Sequence, residues 1–179
     1  GYWYRGTADA IYQNLDFLRR CHEPYVIITS GDAVYKMDYN KVLEYHIAKK
    51  ADITVVCKEL GPNEDASRFG TIKMNDSMRI EEFEEKPAKP RSNLASMGIY
   101  IFNKNFLKKY LEDDAKDETS SHDFGKNIIP KMLADKARLY SYAFDGYWKD
   151  VGTIESLWQA NMDLLQDQPP FELNGDWKI

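Results

Sequence analysis

The first third of the chain alternates between two apolar patterns. Apolar side chains at helical spacing predict one helix from Thr7 to about Arg20 and another over residues 39–50. Residues 25–29 and 53–57 are short, β-branched runs with consecutive apolar positions, which is typical of strands buried on both faces. The order helix, strand, helix, strand indicates a parallel sheet with crossover helices.

The middle of the chain predicts a different local structure. Two strand-like runs, 69–74 and 79–83, flank the turn-forming residues 75–77, and this arrangement predicts a hairpin. The remaining predicted elements are strands over 94–102 and 138–144, a short helix over 106–111, an amphipathic segment over 122–133 that contains Gly125 and Pro130, and a helix from Thr153 to about Leu165.

Composition narrows the class of protein. The chain has 179 residues, with 24 Lys and Arg against 29 Asp and Glu, for a formal charge of −5. A mildly acidic chain without a basic block argues against nucleic acid as a partner. No apolar run approaches the ~18 residues of a membrane span, and no signal peptide is recognised, so we expect a cytoplasmic protein without a membrane partner.

Cys21 and Cys57 are predicted to be reduced, and no zinc-ligand spacing occurs.

Two aspartates are candidate metal ligands. Asp32 follows the predicted strand 25–29, at the carboxyl edge of the sheet where ligands bind in open α/β folds. Asp150 precedes the predicted helix at Thr153. Two carboxylates from distant parts of the chain are a reasonable pair for Mg²⁺. From spacing alone, a turn former or a helix cap is the favoured interpretation of each aspartate.

Three further positions are candidate ligand contacts. Lys86 ends a predicted strand and suits a phosphate as a point charge, and Glu85 suits sugar hydroxyls as an acceptor. On local evidence alone, a solvated run of charges is the favoured interpretation of these two residues. Ser96 lies among small residues that open an apolar strand, which allows either close approach of a ligand or close packing.

Six segments in order resemble one family. They are residues 4–10 (YRGTADA), 30–39 (SGDAVYKMDY), 83–87 (FEEKP), 95–100 (ASMGIY), 121–125 (SHDFG) and 146–153 (GYWKDVGT). With these segments the chain resembles the bacterial glucose-1-phosphate adenylyltransferases over nearly all of its length.

The resemblance implies a fold, a reaction and a set of roles. The fold is a Rossmann-like (GT-A-like) nucleotidyltransferase α/β domain, a mixed sheet flanked by helices. The reaction converts ATP and glucose 1-phosphate to ADP-glucose and pyrophosphate in glycogen synthesis, with Mg²⁺ as cofactor. By motif, Asp32 is the catalytic and metal-holding aspartate, and Asp150 is the second metal ligand. Lys86 is a catalytic residue that holds the sugar phosphate. The other glucose 1-phosphate contacts are Tyr4, Gly70, Glu85 and Ser96.

The resemblance also implies domain boundaries. Residues 1–165 match the catalytic domain without its first strand and glycine-rich triphosphate loop, and residues 166–179 match a linker toward a left-handed β-helix domain. We therefore expect this polypeptide to be truncated at the N-terminal strand and inactive alone. Its full-length parent is expected to be an allosteric homotetramer or to pair with a regulatory subunit.

Ala33 departs from the family pattern, because histidine usually follows the catalytic aspartate. The alternatives are a non-catalytic regulatory subunit of the same assembly and a sister enzyme that uses another nucleoside triphosphate. The presence of Asp32, Lys86 and Asp150 favours a catalytic parent.

Overall fold

The computed structural model describes residues 7–13, 15–20, 22–30, 37–144 and 160–163. The α-helices are α1 (Thr7–Gln13), α2 (Leu15–Arg20), α3 (Tyr39–Ala48), α4 (Lys104–Lys116) and α5 (Ile129–Ala134). A 3₁₀ turn covers Ala66–Arg68, and a π-helix covers Phe124–Ile128. The strands are β1 (Tyr25–Ser30), β2 (Ile53–Glu59), β3 (Gly70–Met74), β4 (Ile80–Glu85), β5 (Leu94–Asn103), β6 (Leu139–Ala143) and β7 (Ala160–Asp163).

The described strands form one mixed sheet around β5. β2 pairs with β5 along one edge, and β1 and β3 pair with successive parts of the other edge, all antiparallel to β5. β6 adds to β2 in parallel, β4 adds to β3 as a hairpin partner, and β7 adds to β1. β1 and β2 therefore run in the same direction, as their pattern predicts, but β5 lies between them. The sheet is mixed, which confirms the fold that the resemblance implies.

Two apolar clusters cover the two faces of the sheet. Val26 and Ile28 of β1 lie in the larger cluster, which also contains side chains of α1, α2, α4 and α5. Ile27, on the opposite face of β1, lies in the smaller cluster with Val42 and Leu43 of α3. The alternation along β1 thus places helices on both faces, which is an α/β arrangement of three layers.

Most predicted elements are confirmed, with altered limits. The hairpin forms from β3 and β4, and the strands predicted at 25–29, 53–57, 94–102 and 138–144 correspond to β1, β2, β5 and β6. The helix predicted over 106–111 extends over Lys104–Lys116. The segment 122–133 is helical in two parts, with Pro130 in the first turn of α5, directly after the π-helix.

The helix predicted from Thr153 to about Leu165 is wrong where the chain is described. Ala160–Asp163 is a strand that pairs antiparallel with β1, and Ile27 lies opposite Asp163. Strand β1 offers unpaired N–H and C=O groups on that edge, and pairing with them overrides local helix propensity. The rest of the predicted helix lies outside the described residues.

No helix of the described residues is long and apolar enough to cross a membrane. Cys57 is a buried free thiol, as predicted for it, and Cys21 lies outside the described residues.

A buried histidine joins α3 to the sheet. His46 is 1% exposed, and its Nε2 lies 2.8 Å from Oδ1 of Asn103 while Nδ1 lies 2.6 Å from Oγ1 of Thr54. The Asn103 amide nitrogen donates to the Ala51 carbonyl at 3.1 Å, so Oδ1 accepts from Nε2–H, and Nδ1 accepts from the Thr54 hydroxyl. The ring is therefore held in its neutral form, and burial lowers the pKa of His46 below 6.5.

We expect the stability of the protein to fall as the pH falls below the ordinary histidine pKa of about 6.5. The pKa of folded His46 is lowered, so the unfolded chain binds this proton more readily, and stability present above that pH is lost on acidification. His46→Gln should flatten the pH dependence of the urea midpoint between about pH 7.5 and 5.5. His22→Gln, at an exposed histidine, is the control and should keep the wild-type dependence; an unchanged dependence in His46→Gln would contradict the assignment.

Candidate active site

The run of acidic residues at the end of β4 divides between two faces. Glu84 accepts from Nε of Arg91 at 2.8 Å, and Glu82 lies 3.4 Å from the same guanidinium. These two carboxylates and Arg91 form a charge cluster on the outer face of β4. Phe83 and Glu85 alternate with them and lie on the other face, where Phe83 is buried and Glu85 is half-buried.

Glu85 is held in a poorly solvated position. Burial is the main cause that raises its pKa to about 6, and the nearby Asp123 carboxylate adds to it. Lys86 and Lys126 act in the opposite direction and limit the shift. The result is a half-buried acceptor group with a raised pKa of about 6.

Strand pairing brings Gly70 and Ser96 to the same place as Glu85. Gly70 lies directly opposite Glu85 in the β3–β4 hairpin. Thr71 pairs with Ala95 of β5, so Gly70 and Ser96 occupy the next positions on these neighbouring antiparallel strands. The structure therefore gathers three residues that the sequence placed in one site.

A bulge in β5 turns Ser96 toward an aromatic residue. The register between β2 and β5 shifts here, because three β5 residues oppose one β2 residue, and Gly98 adopts a φ of 71° that favours glycine. The Ser96 hydroxyl donates to the Tyr100 hydroxyl at 3.3 Å. Burial raises the pKa of Tyr100, and the charge of Glu85 contributes to that rise, so Tyr100 lies near the Glu85 carboxylate.

An aromatic group and the π-helix complete the described part of the site. The ring of Tyr100 stacks on Phe124 with centroids 6.0 Å apart, and Phe102 lies 5.6 Å from Phe124. Asp123 caps the π-helix by accepting from the backbone N–H of Lys126 at 2.9 Å. Segment 121–125, which the sequence singled out without a role, therefore borders Glu85.

Lys86 follows β4 directly. Its backbone has a φ of 45°, and its N–H donates to the Phe69 carbonyl at 3.1 Å, which fixes the end of the strand. The side chain is exposed and forms no ion pair with another described residue. A cation on a fixed backbone beside a carboxylate, two hydroxyls and aromatic rings can bind a ligand that carries both hydroxyl groups and an anion.

Three predicted site residues, Tyr4, Asp32 and Asp150, lie outside the described residues. Among the residues that are described, no group of three or more His, Cys, Asp or Glu side chains could hold a metal ion. Sequence reasoning assigned no role to Tyr100, Asp123, Phe124 or Gly125. Their presence in the segments 95–100 and 121–125 was the signal that could have pointed to them.

Comparison of the sequence with known proteins identifies a family. The chain belongs to the nucleotidyl transferase family, whose model matches residues 3–167.

The names of individual relatives are more specific than the name of the family. The chain is 57% identical over 178 residues to the glucose-1-phosphate adenylyltransferase of Bacillus cytotoxicus, covering 99% of this chain and 47% of that protein. It is 58% identical over 180 residues to the enzyme of the same name from Clostridium acetobutylicum, covering 100% of this chain and 47% of that protein. The resemblance inferred from six segments is thereby confirmed, and the chain spans about half the length of the curated relatives it matches.

We expect Gly70→Ala to destabilise the fold. A Cβ atom at position 70 would lie 2.6 Å from Cζ of the buried Phe83 and 3.2 Å from Oε2 of Glu85, and overpacking of this kind costs ~1–3 kcal/mol. The urea midpoint should fall accordingly. Gly61→Ala is the matched control, because its Cβ would meet nothing closer than Glu64 Oε1 at 3.6 Å. Equal midpoints for the two variants would contradict the prediction.

Proposed function

We propose that this chain carries the glucose 1-phosphate site of a glucose-1-phosphate adenylyltransferase. The observation that carries the proposal is the convergence of Gly70, Glu85 and Ser96 at one place, from three different strands. The names of the relatives at 57–58% identity support the same reaction. The substrates are ATP and glucose 1-phosphate, and the products are ADP-glucose and pyrophosphate.

The described side chains suit a sugar phosphate. The Glu85 carboxylate accepts hydrogen bonds, and the Ser96 and Tyr100 hydroxyls both donate and accept. Together they can bind several sugar hydroxyls in fixed directions. Lys86, exposed at the end of β4, supplies the positive charge for the phosphate group. Tyr4 borders the same site in this proposal.

The reaction needs positioning more than proton transfer. A phosphate oxygen of glucose 1-phosphate attacks the α-phosphorus of ATP, the bond to the β-phosphate oxygen breaks, and pyrophosphate leaves with that electron pair. The attacking oxygen is already anionic, so no strong general base is required. Lys86 orients this oxygen and offsets its charge.

Asp32 and Asp150 are the residues that would hold Mg²⁺ in this proposal. Carboxylate oxygens are the ligands this cation prefers, and Asp32 comes two residues after Ser30, the last residue of β1. When bound, the ion would stabilise negative charge that develops on the phosphates.

The experiment that tests the proposal is release of pyrophosphate by the protein at its full natural length. ATP, UTP, dTTP and GTP are compared with glucose 1-phosphate as the second substrate. Turnover with ATP supports the proposal. A preference for another nucleotide would indicate a sister enzyme, and no turnover together with retained glucose 1-phosphate binding would indicate a regulatory subunit.

We expect Lys86→Gln to lower kcat/KM for glucose 1-phosphate by about 10- to 100-fold, because a hydrogen bond to a charged group contributes ~1.5–3 kcal/mol. The KM for ATP should change little. Lys89→Gln removes a second exposed lysine from the loop that follows β4 and serves as the control. Equal effects of the two substitutions would contradict a specific role for Lys86.

We expect kcat/KM for glucose 1-phosphate to fall as the pH falls through about 6, the pKa of Glu85. The pKa is raised, so the carboxylate that accepts sugar hydroxyls predominates only above that pH, and protonation below it removes acceptor capacity. Initial rates at limiting glucose 1-phosphate report the profile. Glu85→Gln should lower the rate at neutral pH and remove this inflection; an inflection that persists in Glu85→Gln would belong to another group.

A further inference from the structure

A glycine of the π-helix lies against the Glu85 side chain. A Cβ atom built on Gly125 would overlap Oε2 of Glu85 and come within 2.5 Å of its Cδ and 2.9 Å of its Cγ. The same oxygen, Oε2, lies 3.2 Å from a Cβ built on Gly70. The carboxylate therefore occupies the space between two residues without side chains, on two different elements. We call this space the glycine slot, formed by Gly70 and Gly125.

Backbone conformation does not require glycine at position 125. Gly98 is the glycine with a left-handed φ among the described residues, and Gly125 lies within the helical segment Phe124–Ile128. Alanine is favoured over glycine in helices because glycine loses more backbone entropy on folding. The feature that excludes a side chain at this position is the Glu85 carboxylate itself.

Hydrogen bonds fix the backbone segment that contains Gly125. Asn127 Oδ1 accepts from the Asp123 N–H at 2.9 Å and from the Ser121 hydroxyl at 2.7 Å. His122 Nδ1 lies 2.8 Å from Oδ2 of the buried Asp114, and the His122 carbonyl accepts from the N–H of Ala8 at 2.8 Å.

Phe124 packs against Tyr100 and Phe102 on the core side of the same segment. The π-helix is thus tied to α1, α4 and β5. A side chain added at Gly125 would displace the far end of the flexible Glu85 side chain and leave the backbone in place.

We propose that Gly125 is a positioning residue of the glucose 1-phosphate site, because its missing side chain leaves the slot in which the Glu85 carboxylate is held. The consequence of this inference for catalysis rests on the proposed function. Its structural content, that Gly125 determines where the Glu85 carboxylate lies, stands on the geometry alone.

The groups around the slot explain why the position of Glu85 matters. Asp123 repels the carboxylate, Lys86 and Lys126 attract it, and Tyr100 lies near it on β5. Displacement from the slot changes the position of the acceptor relative to Ser96 and Tyr100. A shift of about 1 Å at a substrate-positioning group can reduce the rate by about 100-fold.

The test compares Gly125→Ala with Gly61→Ala in the protein at its full natural length. Gly125→Ala should keep a thermal midpoint equal to or above that of the wild type, raise the KM for glucose 1-phosphate and lower kcat/KM by about 10- to 100-fold. The KM for ATP should stay within about twofold. Gly61→Ala should leave all of these values unchanged. Full activity of Gly125→Ala would overturn the proposal.

A double variant distinguishes an effect of Gly125→Ala that acts through the position of Glu85 from an effect on the rest of the protein. In a Glu85→Ala background the overlapping atoms are absent, so adding Gly125→Ala should change kcat/KM by less than about twofold. An additional loss as large as in the wild type would show that Gly125 acts elsewhere. If Gly125→Ala alone fails to fold, recovery of folding in the double variant supports the overlap, and failure of both variants contradicts it.

A crystal structure of Gly125→Ala tests the inference without any substrate. The expected result is an unchanged π-helix with the Glu85 carboxylate displaced from the slot; a carboxylate that stays in place would refute it. If the wild type does not turn over glucose 1-phosphate, the proposed function fails, while this structure still decides whether Gly125 positions Glu85.

Discussion

The structure depends on the hydrogen bonding of β5. Nearly all of its ten residues are buried, so its backbone N–H and C=O groups on both edges must be paired with other strands. β2 satisfies one edge, and β1 and β3 divide the other. This division places the β3–β4 hairpin beside the first residues of β5, where Ser96 lies. The candidate site is therefore a consequence of how one buried strand completes its hydrogen bonds.

The second constraint is electrostatic. Glu85 follows Phe83 on the inner face of β4, where an apolar residue would bury at lower cost. Burial and Asp123 raise its pKa, and the lysines at 86 and 126 compensate only in part. The hydroxyls of a sugar would donate hydrogen bonds to this carboxylate. The position that is costly for folding is the one that the proposed function uses, as is common at binding sites.

Sequence reasoning succeeded where local pattern and tertiary packing agree. The β-branched runs at β1 and β2 and the turn residues between β3 and β4 were sufficient to predict those elements. It failed at Ala160–Asp163, where pairing with the open edge of β1 outweighs helix propensity. The local pattern of the first two strands predicted a parallel sheet, and β1 and β2 do run in the same direction. It did not show that β5 lies antiparallel between them, in the mixed sheet that the resemblance implied.

The sequence by itself determined the α/β class and the family resemblance, and through that resemblance it predicted that Gly70, Glu85, Lys86 and Ser96 share one site. These follow from short-range patterns and from motifs that can be read in order along the chain. Only the tertiary structure decided which of the glutamates 82, 84 and 85 turns inward, and that Gly125 leaves room for it. The reason is physical: the space around a side chain is set by residues far away in sequence, here about forty positions along the chain, and no local pattern encodes that distance.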